Sequence, residues 1–447
     1  MSGRGWALPA GVWLAAGVSM FAAGVAWAGP GSRDDAPSSP AEVIEEVRAR
    51  NPGLKGLQAG VDAAGHTAPQ ASSFPDPTLT VGLSNYPFST GQTPMSGVQF
   101  DLKQRLPWFR KLNALEAAAR QDQRIQAALR VEKTKTLVAR AWSLLWELTY
   151  LHEQRRLALE IGATLDDLVE VARAAYAVGK GRQQDLIKPV VQHQRIDEMV
   201  VGIDRQAGIL LSELNRLRDR EPDAVVIPPA MPKDGDSPPV LKISTLLDYA
   251  RRHNPMVDLR ENAIGKQQEM LTAAREDYVP DFTVGLQYRA RWIDSARDPV
   301  GGADFFGVTI SVGLPVYAAT KQSERVEEMK SRLKRAELFL DDTANEVADG
   351  IERTALAVER DREQAAIYVE KIIPDTEKAL DSSLLDYQQG RIEFLSVLDN
   401  LMSLFRARVE HARRVTRIEA SLAELEHWLG GPLNEAMITT PSGDAGR

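Results

Sequence analysis

His152-Glu153 opens an H-E-x-x-H pattern. In such a pattern two histidines one helical turn apart hold zinc and the glutamate acts as general base. Arg156 stands where the second histidine is needed, so no zinc site results. Gly179 and Gly181 begin a glycine-rich turn, but Gln184 replaces the third glycine of a dinucleotide fingerprint, and no phosphate-loop lysine pattern occurs. The 6 histidines are scattered and read as solvated or capping residues. Met95 is a lone soft donor. The expectation is a protein that is not an enzyme, with no catalytic residue, resident metal or cofactor.

The informative polar residues lie where two long helical patterns reverse. Gly179 and Gly390 interrupt those patterns, with Lys180, Gly181 and Arg391 beside them. A tight helix-to-helix reversal needs a residue free of Cβ strain. Asp185 follows the first glycine, Tyr387 precedes the second, and Ser396 and Asp399 lie one turn apart on the second return helix.

These landmarks belong to a duplication. Asn51-Pro52 returns as Asn254-Pro255, Pro75-Asp76 as Pro280-Asp281, Leu106-Pro107 as Leu314-Pro315, and Tyr176…Gly179 as Tyr387…Gly390. The offset drifts from about 203 to about 211, as expected of a duplicated unit with small insertions.

Each unit starts with an extended hairpin. Leu79, Val81 and Leu83 alternate with Thr78, Thr80 and Gly82, and Val98, Phe100 and Leu102 alternate with Gln99, Asp101 and Lys103. In the second unit Phe282, Val284, Leu286 and Tyr288, then Phe306, Val308, Ile310 and Val312, alternate with polar or small residues. Segments of about ten residues with one apolar and one polar face are the pattern of transmembrane β-strands. An amphipathic sheet on a soluble core is the other reading, but no neighbouring segment offers a core to cover both sheets.

Helical pattern fills most of the rest. Arg110–Val178 contains no proline and one glycine, Gly162, and 318–389 is interrupted only by Gly350 and Pro374. Each run would be about 100 Å long, which implies coiled-coil or tubular elements. Val326, Leu333, Leu340 and Val347 keep a spacing of seven, with Met329, Ala336, Thr343 and Gly350 as the second set. The register then slips by four to Ile351, Val358, Ala365 and Ile372, a stutter that locally unwinds a supercoil. Arg182–Arg220 and Met256–Tyr278, stacked end to end, nearly match the first long helix. Glu221–Val240, rich in proline, reads as a belt between them.

The 447-residue chain has no cysteine and a formal net charge of −8. The charge argues against nucleic acid as a partner. Residues 1–28 read as an export signal: Arg4, an apolar stretch from Trp6 to Val25, and Ala26-Trp27-Ala28 as an A-x-A cleavage site. Four strands cannot close a barrel, and open edges are not tolerated in lipid. Three copies would give twelve strands, enough for a wet lumen lined by Thr80, Gln99, Asp101 and Gln287. Tyr86, Phe88, Tyr288 and Trp292 would form aromatic girdles at strand ends. Pro107 and Pro315 suit sharp strand-to-helix joins.

With these landmarks in fixed order from Asn51 to Gly431, the chain resembles the TolC family of outer-membrane channels. Pro75-Asp-Pro77, Asn85-Tyr86-Pro87 and Val178–Asp185 look most like its heavy-metal (CzcC-like) branch. The resemblance implies an α+β membrane protein: a homotrimer with a 12-stranded barrel in outer-membrane lipid, continuous with a periplasmic α-helical barrel. It implies a passive exit duct of a tripartite efflux system, docked by a periplasmic adaptor (membrane fusion protein) and an inner-membrane RND-type pump. It also implies that Asp399 lines an acidic pore constriction, with Ser396 where a second acid is usual. Asp185 and Tyr387 match a pair that links neighbouring hairpins. Ile392 replaces the family's basic partner, with Arg391 one residue earlier. The reversal loops with Gly179, Lys180, Gly181, Gly390 and Arg391 would meet the adaptor. The competing readings are a soluble periplasmic coiled-coil scaffold or adaptor and, within the duct reading, drug efflux or type I secretion. The expected organisation is a signal peptide (1–28), a flexible segment with short helices (29–74) and two repeats. The first repeat (75–239) comprises hairpin 78–106, coiled-coil hairpin 110–220 and equatorial segment 221–239. The second (240–431) comprises helices 243–278, hairpin 281–314 and coiled-coil hairpin 318–430, followed by a tail (432–447).

Overall fold

The computed structural model describes residues 38–85, 96–179, 181–232, 240–291, 303–434 and 437–439. Residues 1–28, read above as an export signal, together with Lys180, Met95 and the aromatic residues Tyr86, Phe88 and Trp292, lie outside them. Strand β1 (Thr78–Ser84) pairs antiparallel with β2 (Gly97–Leu106), β2 with β4 (Phe282–Arg291), and β4 with β5 (Phe305–Val312). The sheet order is β1-β2-β4-β5, so the two hairpins lie side by side and β1 and β5 are its edges. The two-residue strand β3 (Val240–Leu241) pairs with β6 (Ile438–Thr439), an association of the tail that no local pattern announced.

Three short helices, α1 (Pro40–Arg50), α2 (Pro52–Gly65) and α3 (Thr67–Ser72), lead into the first hairpin. The duplicated Asn-Pro has one role in both repeats. Asn51 caps α2, accepting from Leu54 N, and its amide donates to Leu217 O at 2.8 Å. Asn254 accepts from Met256 N and donates to Trp428 O at 2.7 Å. Each asparagine therefore ties the start of a helix below the sheet to the end of a returning coiled-coil helix. The proline that follows occupies the first helical position, where its missing N–H costs nothing.

Helix α4 (Phe109–Ala177) is 69 residues long, about 100 Å. It packs against both α5 (Gln183–Leu217) and α7 (Pro255–Glu276), so these two do form an interrupted column beside it. Lys266 of α7 reaches Asp122 of α4 at 2.5 Å. Helix α8 (Gln322–Ile367) packs on α7 and on α10 (Phe394–Leu429). Met329, Ala336, Thr343, Val347, Gly350, Ile351, Val358 and Ala365 are buried along it, whereas Val326, Leu333 and Leu340 of the first seven-spaced set are half-buried.

Two features of this helix depart from expectation. Gly350 does not interrupt it. The Trp428 ring lies where a Cβ would be, within 2.6 Å, so glycine is there for close approach. The backbone adjustment comes later, as a π-turn at Tyr368–Ile372 just before α9 (Ile373–Gln388). Pro374 has no N–H and its ring crowds the carbonyl one turn back, and a widened turn relieves that conflict.

At mid-height, Val43, Ile44 and Val47 of α1 join a core shared by α4, α5 and α10. Beside it Arg218, 1% exposed, donates to Glu46 at 3.2 Å, while Arg220 donates to the other Glu46 oxygen. Asn215 Oδ1 and Ser38 Oγ also accept from Arg218. This clamp holds the N-terminal helix on the end of the first coiled-coil hairpin. Short helix α6 (Ile243–His253) builds the corresponding corner in the second repeat, with Leu246, Ala250, Val347, Ile351 and Leu425.

Candidate functional site

Opposed residues in an antiparallel sheet share a face. Leu79, Leu102, Leu286 and Val308 form one row, and Val81, Phe100, Tyr288 and Phe306 the next. Val284–Ile310 and Leu106–Phe282–Val312 continue that face toward the helices. This apolar surface is open to the outside: Leu79 is 63% exposed, Val81 57%, Val308 60% and Ile310 72%. The opposite face carries Thr80, Gln99, Asp101, Lys103, Arg105, Thr283, Gln287, Arg289, Thr309 and Ser311. Among the described residues no helix is long and apolar enough to cross a membrane. The apolar surface of that kind lies on the sheet.

The joins between sheet and helices differ. Pro107 takes β2 into α4 within two residues, and Asp281 accepts from Trp108 N and from Arg105 at 2.6 Å. Pro315 does not make the expected sharp join. A turn over 316–321 intervenes, in which Ala318 N bonds Pro315 O and Lys321 N bonds Tyr317 O, and α8 begins only at Gln322. The turn leaves Leu314, Val316 and Tyr317 projecting, each at least 70% exposed. Below the sheet, Asp277 at the end of α7 accepts from Lys111 of α4 (2.5 Å) and Arg325 of α8 (3.3 Å). One carboxylate therefore fixes the bases of both long helices.

The far ends of the long hairpins carry the other candidates. Gly179 (φ +74°) and Gly390 (φ +72°) are left-handed with open space where a Cβ would stand. Arg391 N returns to Asp386 O at 2.9 Å, the six-to-one bond of a Schellman turn. Gly181 is held for a different reason: a Cβ there would lie 2.9 Å from the Tyr176 backbone nitrogen. Asp185, nearly buried, accepts from Arg182 N at 3.0 Å and caps α5. Tyr387 stacks edge-on against Phe394, with ring centroids 5.2 Å apart. Burial first, and then the Asp185 carboxylate, push the Tyr387 phenol up. Its Oη is buried and meets no hydrogen-bond partner among the described residues. The structure thus brings Asp185 and Tyr387 near each other without bonding them.

Arg391 reaches Asp386 at 3.4 Å, and Ile392 packs against the core. The contact that links the two tips is one not foreseen, Arg182 to Glu393 at 2.7 Å. Both side chains are solvated, and no spacing in the sequence pairs residues so far apart. Ser396 and Asp399 are exposed on one side of α10, whose other side, with Phe394, Val397, Leu398 and Leu401, is buried. At mid-height Arg156 is held by Glu153 and Glu160, beside His152 and the segment Val226–Met231. The broken H-E-x-x-H pattern is an ion-pair ladder on α4.

Residues 43–188 match the outer membrane efflux protein family. Over most of the chain the arrangement resembles solved channels. CusC has a TM-score of 0.75 at 14% identity, covering 89% of this chain and 93% of that one. VceC from Vibrio cholerae has a TM-score of 0.74 at 18% identity, covering 88% and 96%. The chain has the fold of the TolC-family outer-membrane channels. The open-state MtrE channel of Neisseria gonorrhoeae shares it too, with a TM-score of 0.69 at 16% identity, covering 88% and 89%. A curated relative, the cobalt-zinc-cadmium resistance protein CzcC of Cupriavidus metallidurans, is 21% identical over 181 residues. That match spans 39% of this chain and 40% of the relative. In a chain with this fold the sheet carries the exposed apolar face, and the glycine tips lie at the far ends of the long helices.

Proposed function

We propose that three copies of this chain close a 12-stranded barrel in the outer membrane of a Gram-negative bacterium and carry a helical tube into the periplasm. The assembly is a passive exit duct for a periplasmic adaptor and an inner-membrane RND-type pump. The observation that carries this reading is the four-stranded sheet with a continuous exposed apolar face and two open edges. In lipid such edges must be paired, and further copies of the same sheet supply the partners. Phe109 and Tyr317, exposed at the foot of the sheet, suit the periplasmic interface, where aromatic rings collect.

The duplication supports a definite register for closure. β5 corresponds to β2 in the other repeat, and β1 to β4. The observed pairing Leu102↔Leu286 then maps onto Ile310↔Val81 between subunits, and Lys103↔Gly285 onto Ser311↔Thr80. In both mapped pairs apolar meets apolar and polar meets polar. Cell fractionation tests the reading. The protein should be found in the outer membrane and run as a trimer in SDS without heating. Recovery as a soluble periplasmic monomer would replace it with the scaffold reading.

At the periplasmic end, three copies of Asp399 would surround the axis and draw cations toward it. The unsatisfied Tyr387 Oη would find its partner on a neighbouring hairpin. The relative's cobalt, zinc and cadmium resistance supports metal ions as the cargo delivered by the pump. The tips at Gly179–Arg182 and Gln389–Ile392 are the adaptor's docking points. A tryptophan at Gly390 meets open space but a left-handed backbone, costing about 1–2 kcal/mol, so trimers should survive. Efflux measured by metal resistance should nevertheless collapse. Normal resistance in that variant would move docking elsewhere.

A further inference from the structure

We propose that the membrane-spanning end of this duct prefers anions, through a basic belt made by Lys103 and Arg289 on the polar face of the sheet. The proposal rests on the closed trimer described above. Reading along that face from the hairpin turns toward the helices, the charged residues are Arg291, Arg289, Asp101, Lys103 and Arg105. Arg105 brings its own counterion, Asp281, at 2.6 Å. Arg291 lies over the Phe305 ring, 4.9 Å from its centre. Among the described residues Arg289 donates only to a neutral oxygen, Gln99 Oε1 at 3.1 Å. Lys103 makes no ion pair among the described residues. Asp101 is the only carboxylate among the residues of these rows, and it accepts from the Gln99 amide.

Lys103 faces two small residues, Thr78 and Gly285, while Asp101 faces Thr80 and Gln287, and Arg289 faces Gln99 and Phe305. Lys103 therefore reaches past its neighbours into the enclosed space, and Arg289 lines the same face two rows away. In a trimer each recurs three times on a wall of low dielectric, where rings of one sign attract counterions and repel like charge. The belt has the sign opposite to that of the Asp399 ring at the other end. A small multivalent anion on the hairpin-turn side should enter and bind, while free metal cations in the medium are discouraged from re-entering.

Planar-bilayer recording with inorganic tripolyphosphate added from the hairpin-turn side tests this. The wild-type pore should be blocked, and the Lys103→Gln/Arg289→Gln double variant should need about tenfold more tripolyphosphate for the same block, because ring charge sets the local anion concentration. Asp101→Asn, which removes only the acid of the belt, should tighten the block and serves if the double variant does not assemble. A conducting wild-type pore that is not blocked, or whose block ignores these substitutions, overturns the belt and leaves the duct standing. A protein that assembles no channel overturns the duct and the belt with it.

Discussion

Arginine in place of Val308 or Ile310 should cost the assembled protein about 2–4 kcal/mol, the penalty for a guanidinium on the lipid face near the bilayer midplane. Both side chains stand on the open apolar face, in the rows Leu79–Leu102–Leu286–Val308 and Val284–Ile310. Thr309 and Ser311 lie between them on the polar face, where the same arginine should cost little. Urea unfolding of trimers refolded into lipid vesicles measures the difference. Equal tolerance on both faces would remove lipid from one side of the sheet, and with it the barrel.

Glu46→Ala should cost about 3–5 kcal/mol, because it leaves the buried Arg218 guanidinium without its counterion. Burial pushes the Glu46 carboxyl up, but the Arg220 hydrogen bond and the Arg220 and Arg218 charges outweigh it, and the net shift is down. A carboxyl lowered by folding stabilises above the ordinary carboxylate range, and that contribution is lost as pH falls through the lowered value. Acid should therefore loosen the N-terminal helix from the tube in the wild type. In Glu46→Ala the helix should already be loose at neutral pH. Limited proteolysis between Arg50 and Lys55 reports this directly. Wild-type protection in the variant would mean that the apolar contacts of Val43, Ile44 and Val47 hold the helix alone. Glu46→Gln, which keeps an acceptor for Arg220, should fall between the two.

The parts of this molecule that could be read from the chain are those built on short repeats. Period-two alternation marked the faces of all four strands, because any other register would place Leu79, Phe100 or Val308 among polar neighbours. Spacing by seven marked Met329, Ala336 and Thr343 as buried, because a helix packed along its whole length must keep one seam inward. The duplicated Asn-Pro was visible as a landmark, although its bond to a carbonyl more than 160 residues away was not. Long-range polar contacts leave no periodic trace. Glu46 with Arg218, Arg182 with Glu393, and Asp277 with Lys111 and Arg325 each join residues that only the folded chain brings together. The turn after Pro315 and the π-turn before Pro374 were missed for a related reason. A proline announces that the backbone must adjust, but packing on neighbouring helices decides where. Among the candidate tip residues, the reversals at both glycines were legible, but the approach of Tyr387 to Asp185 also needed one tip to pack against the other, which leaves no periodic trace.

The register of closure between subunits is the most direct test of the duct. The chain has no cysteine of its own, so a disulfide formed by Thr80→Cys with Ser311→Cys reports one contact. Within one chain these positions lie on opposite edges of the sheet, three strand spacings apart and displaced in register, so more than about 14 Å apart and too far to bond. Directly opposed across two subunits, they would be about 5 Å apart and within disulfide range. On oxidation in the outer-membrane fraction, this pair should give a covalent trimer that survives boiling in SDS. The pair Thr80→Cys with Thr309→Cys, displaced by two residues, should not. A boiled sample of monomers for the first pair, or trimers for the displaced pair alone, would contradict closure of three sheets into one barrel in the register that the internal repeat dictates.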